Sequence, residues 1–502
     1  MILALWAGSL AWLAGRMARR GGRTFVSGPV TALPPEAYFY IVRAAGRQVG
    51  VASISVDTVP EGVRVTERLG LDLPGRGETS RNQFTREYTL DPNLRLLSYR
   101  LTTPAPQRPA TVEAERTSDT TFRVLSRYQE VSDSWTVVTR FEIPAPLDPV
   151  LFARDGKLHQ GQDETLLVYD PVAMRSRPVQ LITLSDSILF VPDSAVYDTT
   201  AGLWVTASVD TVPVWSVARA EDGELTGLLV NGRGFAMTSQ QSGGLGLERS
   251  AFEIVSLNYR KRLAAQGPGW SSSIVPRTAL ADGARVPTAL VRERRLRLIH
   301  PATWPSRGSA VRDGARQRAH NGDLIVSADS LPAPHDTLSA DDRTRWLRDE
   351  PQLEITDSVI ETRARAIAGN ETDPRRIAEK LTRWVASNIR PEPVYNPIRA
   401  RTVLRLGRGD VDEHTLLLVA LARSLGIPAR AVSGLLLTPG RYYFHSWVEL
   451  YLDGWVPVDP TAGQIPADAA RVRFAIDALA RPPRLFDRLA GIRLTVIEDS
   501  RH

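Results

Sequence analysis

Cysteine is absent from all 502 residues. That excludes disulfides, thiolate metal sites, lipid attachment through cysteine and thiol catalysis by any residue of this chain. Lysine is nearly absent too, occurring only as Lys157, Lys261 and Lys380. The net charge of +6 therefore rests on arginine. The arginines are interspersed with Asp and Glu and form no dense stripe, so nucleic acid is not an expected partner. Histidines are few and dispersed, as at His159, His300, His320 and His335. His414 directly follows Glu413, but no second histidine stands three or four residues on, so neither a metal nor a cofactor is expected. Long apolar runs are missing except at the start, where "MILALWAGSLAWLAG" precedes Arg16, Arg19 and Arg20. The run is short against the roughly 20 residues of a usual span, and no small-residue cleavage site follows it. Residues 1–20 are expected to be an uncleaved membrane anchor. The arginines after the run favour a cytoplasmic body, although large domains cross largely regardless of flanking charge.

What is present divides into regions. At 43% hydrophobic residues the chain can bury real cores, and its length calls for more than one domain. Residues 24–266 read as an antiparallel β-rich region. Short runs such as "AYFYIVRAAGRQVGVASISV", "TFRVLSRYQEV" and "GLLVNGRGFAMTS" alternate apolar with polar and are separated by turn residues. One polar and one apolar face predict a curved sheet or half-barrel. Residues 267–345, rich in Pro, Gly, Ser and Arg, read as a bridging segment with short strands at "RLRLIH" and "GDLIVSAD". Helical pattern takes over after about Asp357, within a C-terminal region taken as 346–502. The expected fold class is α+β.

The stretch "GDVDEHTLLLVALARSLGIPAR", residues 409–430, reads as a buried helix. Asp410 fits the N-cap and Glu413 the third helical position, a capping-box arrangement. Val411 is then the first helical residue. Leu416 to Leu421 are apolar in every direction, which places the helix inside its domain. A buried helix start gathers free N–H groups and a partial positive charge, a setting suited to a nucleophile, yet valine has no reactive atom. Thr415 lies a turn further in, and serine is absent from 409–423. Two strands follow, "RYYFHSWVELYL" with His445 and "GWVPVDPT" with Asp459. Helix start, base and orienting carboxylate form the general triad pattern.

These pieces, with "GWVPVDPTAGQIPADA", resemble the bacterial transglutaminase-like domain of the papain-like cysteine superfamily, most clearly over residues 370–470. The resemblance implies a papain-like fold, with the family's cysteine falling on Val411, its histidine on His445 and its aspartate on Asp459. It also implies thiol acyl transfer or peptide-bond hydrolysis, which Val411 removes. The expected function is a non-catalytic transglutaminase-like protein of the cell envelope. It would bind a peptide, a cell-wall stem peptide or an envelope protein partner, with Tyr442, Tyr443 and Trp447 as groove candidates. Because the relatives so resembled are envelope proteins, the body is expected in the periplasm, tethered to the inner membrane through residues 1–20. Two alternatives stand beside this reading: a peptidase or amidase using His445 and Asp459 with water or another nucleophile, and a structural envelope protein.

The hairpin parity adds a geometric expectation. A two-residue Asp453-Gly454 loop would turn Asp459 away from His445. A three-residue loop, Leu452-Asp453-Gly454, opposes Tyr451 to Trp455 and puts Asp459 across from Trp447, on the His445 face. It requires positive φ at Gly454 and predicts a His445–Asp459 hydrogen bond.

Overall fold

The computed structural model describes residues 33–501, apart from short connections and the segments 262–290, 300–315, 328–337, 393–398 and 477–492. The expected anchor at residues 1–20 lies outside the described residues, and no described helix is long and apolar enough to cross a membrane.

Strands between Glu36 and Arg249 join in one 15-stranded sheet, antiparallel except at the two-residue edge strand Ile143–Pro144. The two edges are consecutive in the chain, Val131–Val138 and Ile143–Pro144. From Val138 to Ile143 the backbone can span at most roughly 18 Å, so the sheet must curl until its edges approach. The interior agrees. Tyr169, near one edge, stacks on Phe122, near the other, with ring centroids 6.3 Å apart. It also meets Tyr99 at 6.0 Å. The curved sheet is thus rolled nearly into a barrel around one core of Val, Leu, Phe and Tyr side chains. The short helix Asp148–Phe152 plugs it, burying Val150 and Phe152.

The bridging segment supplies strands Val291–Ile299, Gln317–His320 and Asp323–Ser327. Sequence reading missed their fourth neighbour, the C-terminal strand Arg493–Arg501, which pairs with Val291–Ile299. It also missed helix Ala340–Leu347, where Ser339 accepts from the Asp342 N–H. This helix runs across the division expected at residues 345/346. Its only buried residue is Trp346, so it lacks the apolar stripe that marks amphipathic helices.

Helices Ser358–Ala368, Pro374–Asn388 and Ala400–Leu406 surround helix Val411–Ser424. That central helix packs on a four-stranded antiparallel sheet ordered Trp455–Val458, Arg441–Tyr451, Ala429–Thr438, Arg471–Ile476. The outer strand Arg471–Ile476 has a polar cap. The Gln317 side chain accepts from the Arg473 N–H at 2.8 Å and donates to its carbonyl at 2.9 Å. The barrel and this region touch through Asp133, which accepts from Thr402 Oγ1 at 3.0 Å and Arg399 Nη1 at 3.4 Å. The Arg399 guanidinium also covers the Trp135 ring at 4.6 Å.

Candidate functional site

The central helix starts as its residues dictate. The Asp410 side chain caps it, accepting from the Val411 N–H at 2.8 Å, and Glu413 Oε2 accepts from the Asp410 N–H at 2.8 Å. Val411 is the first helical residue and is half-buried. Thr415 is spent within the helix, its hydroxyl donating to the Val411 carbonyl at 2.8 Å. His414 is fully buried, with ring nitrogens 2.8 Å from the Asp410 carbonyl and 3.0 Å from that of Ile389. Among the described residues no group of acidic, Cys or His side chains could hold a metal ion.

The hairpin has the register that its parity demands. Tyr451 opposes Trp455 and Val448 opposes Val458. Asp453 takes φ 59 and Gly454 φ 140. Continuing that register sets Asp459 across from Trp447, and His445 Nε2 lies 2.8 Å from Asp459 Oδ2. The carboxylate can only accept there, so Nε2 donates and Nδ1 is left for other contacts.

Asp459 is held by more than the histidine. Arg471, from the outer strand, donates to the same Oδ2 through Nε at 2.8 Å and Nη2 at 2.6 Å. Oδ1 accepts from the backbone of Thr461 and Ala462 at 2.9 and 3.2 Å. Burial alone would raise the Asp459 carboxyl, but His445 and Arg471 outweigh it and hold it well below the usual carboxylate range. Arg471 also pairs with Asp468. His445 is only 3% exposed.

Sequence reasoning missed Arg471. The alternation "ARVRF" could have placed Arg471 and Arg473 on one strand face, but not against Asp459. It missed Asp412 as well. This carboxylate, next to Val411, bonds the Ser446 hydroxyl and lies close enough to His445 for their charges to interact. Burial raises it to about 6, and Asp410 pushes the same way. Glu413 is raised to about 8 by burial and by Asp412. Ser446 in turn lies 3.1 Å from Ser433 across the sheet.

The groove expectation is corrected at Trp447. It is 2% exposed, stacks beside His445 with centroids 6.3 Å apart, and fills the space above Gly434. Its ring backs the histidine instead of meeting solvent, because side chains two apart on a strand share a face. Tyr442 and Tyr443 lie in the same strand, opposite Leu437 and Leu436, and their side chains lie outside the described set.

Residues 361–460 match the transglutaminase-like superfamily. This segment is a transglutaminase-like domain, and it lacks the cysteine. An uncharacterized protein of Haemophilus influenzae is 29% identical over a stretch covering 28% of this chain and 44% of its own. The match thus spans less than half of that relative. The periplasmic domain of TgpA from Pseudomonas aeruginosa, bound to ethylmercury, is 16% identical with a TM-score of 0.24, covering 37% of this chain and 83% of that one. A β-barrel-like domain from Brucella abortus is 10% identical with a TM-score of 0.31, covering 44% and 97%.

Proposed function

We propose that this protein is a non-catalytic transglutaminase-like protein of the cell envelope, whose transglutaminase-like domain binds a peptide or a protein partner. One observation carries the reading: the helix start, histidine and aspartate of the triad pattern are kept, while the nucleophile position is Val411 and no thiol exists. Arg471 engages the Asp459 oxygen that also meets His445. Asp459 therefore serves an ion cluster as well as a base. Water activation by His445 is disfavoured by its near-complete burial, since a general base must reach the proton it abstracts. The test uses the full chain with a fluorogenic peptide, an amine acceptor and a synthetic cell-wall stem peptide. The expected result is no hydrolysis, no amine incorporation, and saturable binding of the stem peptide. Hydrolysis that disappears in His445→Ala would overturn the non-catalytic reading. Absence of stem-peptide binding would withdraw that ligand.

A further inference from the structure

The barrel carries a feature that its core does not need. Strands Arg175–Asp198 and Leu203–Glu221 remain paired out to Asp198↔Leu203. Their neighbours stop earlier, at Asp163↔Ile182 on one side and Val214↔Asn231 on the other. Beyond Ser187↔Val214 the hairpin therefore projects as a two-stranded arm, from Ile188 to Asp198, roughly 30 to 35 Å long at strand rise, with Leu189 and Val212 at its base still packed against the barrel core. The segment Glu253–Leu257 packs against it. Just beyond, the Asn258 side chain binds the Trp204 N–H and carbonyl, both at 2.8 Å. Lys261 reaches Tyr197 Oη at 3.2 Å.

The arm exposes apolar side chains in quantity. Phe190 is 70% exposed, Ile188 61%, Val209 53% and Val196 52%, and Val205, Leu203 and Tyr197 are exposed as well. Near the tip, Val196 pairs with Val205 and the adjacent Tyr197 with Trp204. Adjacent positions on a strand look to opposite faces, so the tip is apolar on both. The Tyr197 face is partly covered by Lys261, which lies over its ring, whereas the face carrying Val196 and Val205 stays open. Exposed apolar surface on this scale marks an interaction site.

The arm's position names the partner. The start of strand Glu36–Ala44 meets the turn after Asn231, where Glu36 pairs with Arg233 and Tyr38 Oη lies 3.1 Å from Asn231 Nδ2. The arm leaves the barrel beside that same Asn231. Residues upstream of Leu33, with their uncharged run and Arg16, Arg19, Arg20 and Arg23, thus join the barrel at the rim from which the arm projects. Asp133, which meets the transglutaminase-like region, lies near the start of its strand at the opposite rim. Charge refines the choice. Between Arg177 and Arg219 there is no basic residue, while Asp186, Asp193, Asp198 and Asp210 are acidic. These four carboxylates outnumber Lys261, the cation held at Tyr197, so an anionic surface would repel such an arm.

We infer that the arm lies in the headgroup layer of a lipid bilayer, one without strong net negative charge. The apolar tip would sit about 5 to 10 Å deep, the usual depth of interfacial elements. This inference does not depend on the peptide-binding reading.

The absence of cysteine makes the test clean. Full-length Val196→Cys and Phe190→Cys, each labelled with an environment-sensitive dye, are mixed with phosphatidylcholine vesicles, with Glu130→Cys at the opposite rim as control. Both arm positions are expected to blue-shift and brighten at least twofold, and to be quenched by a nitroxide lipid, while position 130 stays unchanged. Arm positions that behave like the control overturn the proposal. So does a shift without vesicles that grows with protein concentration, which would assign the arm to a second copy. A vesicle-independent shift abolished by deleting residues 2–20 would assign it to the chain's own start. A preference for phosphatidylglycerol over phosphatidylcholine overturns the choice of an uncharged surface.

Discussion

His445 Nε2 donates to Asp459 Oδ2 at 2.8 Å, across a hairpin whose register puts the two residues on one face. Arg471 donates to the same oxygen from the strand at the far edge of the sheet. The histidine and the carboxylate are therefore in contact, and both are fixed within an ion cluster. The position that the resemblance gives to the cysteine is Val411, and a thiol can be introduced there.

Val411→Cys would place the only thiol of the chain at a helix start, next to Asp412, which lies close enough to His445 for their charges to interact. A helix start and a histidine within reach both lower a thiol's pKa below about 8.5. Asp412 opposes this, being a carboxylate raised to about 6 and hence ionised at neutral pH. The variant is expected to alkylate about tenfold faster at pH 7 than an exposed control cysteine. His445→Ala in that background should slow it, and Asp412→Asn should speed it further. Reaction at the control rate would mean that the surroundings no longer activate a thiol.

Arg471→Leu should destabilise the fold by about 3 kcal/mol, because the buried charge of Asp459 loses its guanidinium partner and keeps only His445 and two backbone N–H groups. Adding Asp459→Asn should recover part of the loss, since the unpaired charge is then gone. Urea midpoints of the two variants check this, and a double variant no better than the single would refute the ion-cluster account.

Part of this arrangement is legible in the sequence for a definite reason. Strand side chains have period two, so the loop length between His445 and Asp459 decides whether they share a face. Once His445 and Asp459 are required to meet, that parity selects Tyr451 opposite Trp455 over Leu452 opposite Trp455. The helix start is legible because Asp410 and Glu413 act within one turn. Arg471 and Gln317 were invisible because their contacts join residues far apart in the chain, which no local period encodes. Barrel closure was hidden likewise, since Phe122 meets Tyr169 only through curvature accumulated over many strands. Trp447 was misread because an aromatic two residues from a histidine looks the same in sequence whether it backs the ring or lines a groove.

The helix start also predicts a pH dependence. Glu413 is raised to about 8 in the fold, against an ordinary value near 4.5. Its folded form holds the proton more tightly than the unfolded chain does. It therefore contributes stability that is complete below about pH 4.5 and is lost as pH rises through 8. Asp412, raised to about 6, acts with the same sign over a lower window. Urea midpoints should fall between pH 5 and 8. Glu413→Gln, which can still accept the Asp410 N–H, should flatten the upper part of that slope by on the order of 1 kcal/mol. An unchanged slope in the variant would remove Glu413 as the cause.

Gly434 tests how tightly the histidine is backed. It lies opposite His445 in the neighbouring strand. A Cβ there would stand 2.0 Å from the Val472 carbonyl oxygen and 2.9 Å from Trp447 Cη2. The first contact is backbone on a paired strand, so it cannot be relieved by a rotamer change. The strands must separate, moving Arg471 away from Asp459 and the Trp447 ring away from His445. Gly434→Ala is expected to cost about 3 kcal/mol, at the upper end for overpacking. Gly70→Ala supplies the control, since a Cβ at that strand glycine would meet only Gln83 and Val51 side chains at 3.7 and 3.8 Å. That change should stay within about 0.5 kcal/mol of neutral. In the Val411→Cys background, Gly434→Ala should also return thiol reactivity toward the control rate. A strongly destabilised variant that keeps full reactivity would separate the backing of His445 from its orientation, and leave Asp459 alone as the residue that holds the ring.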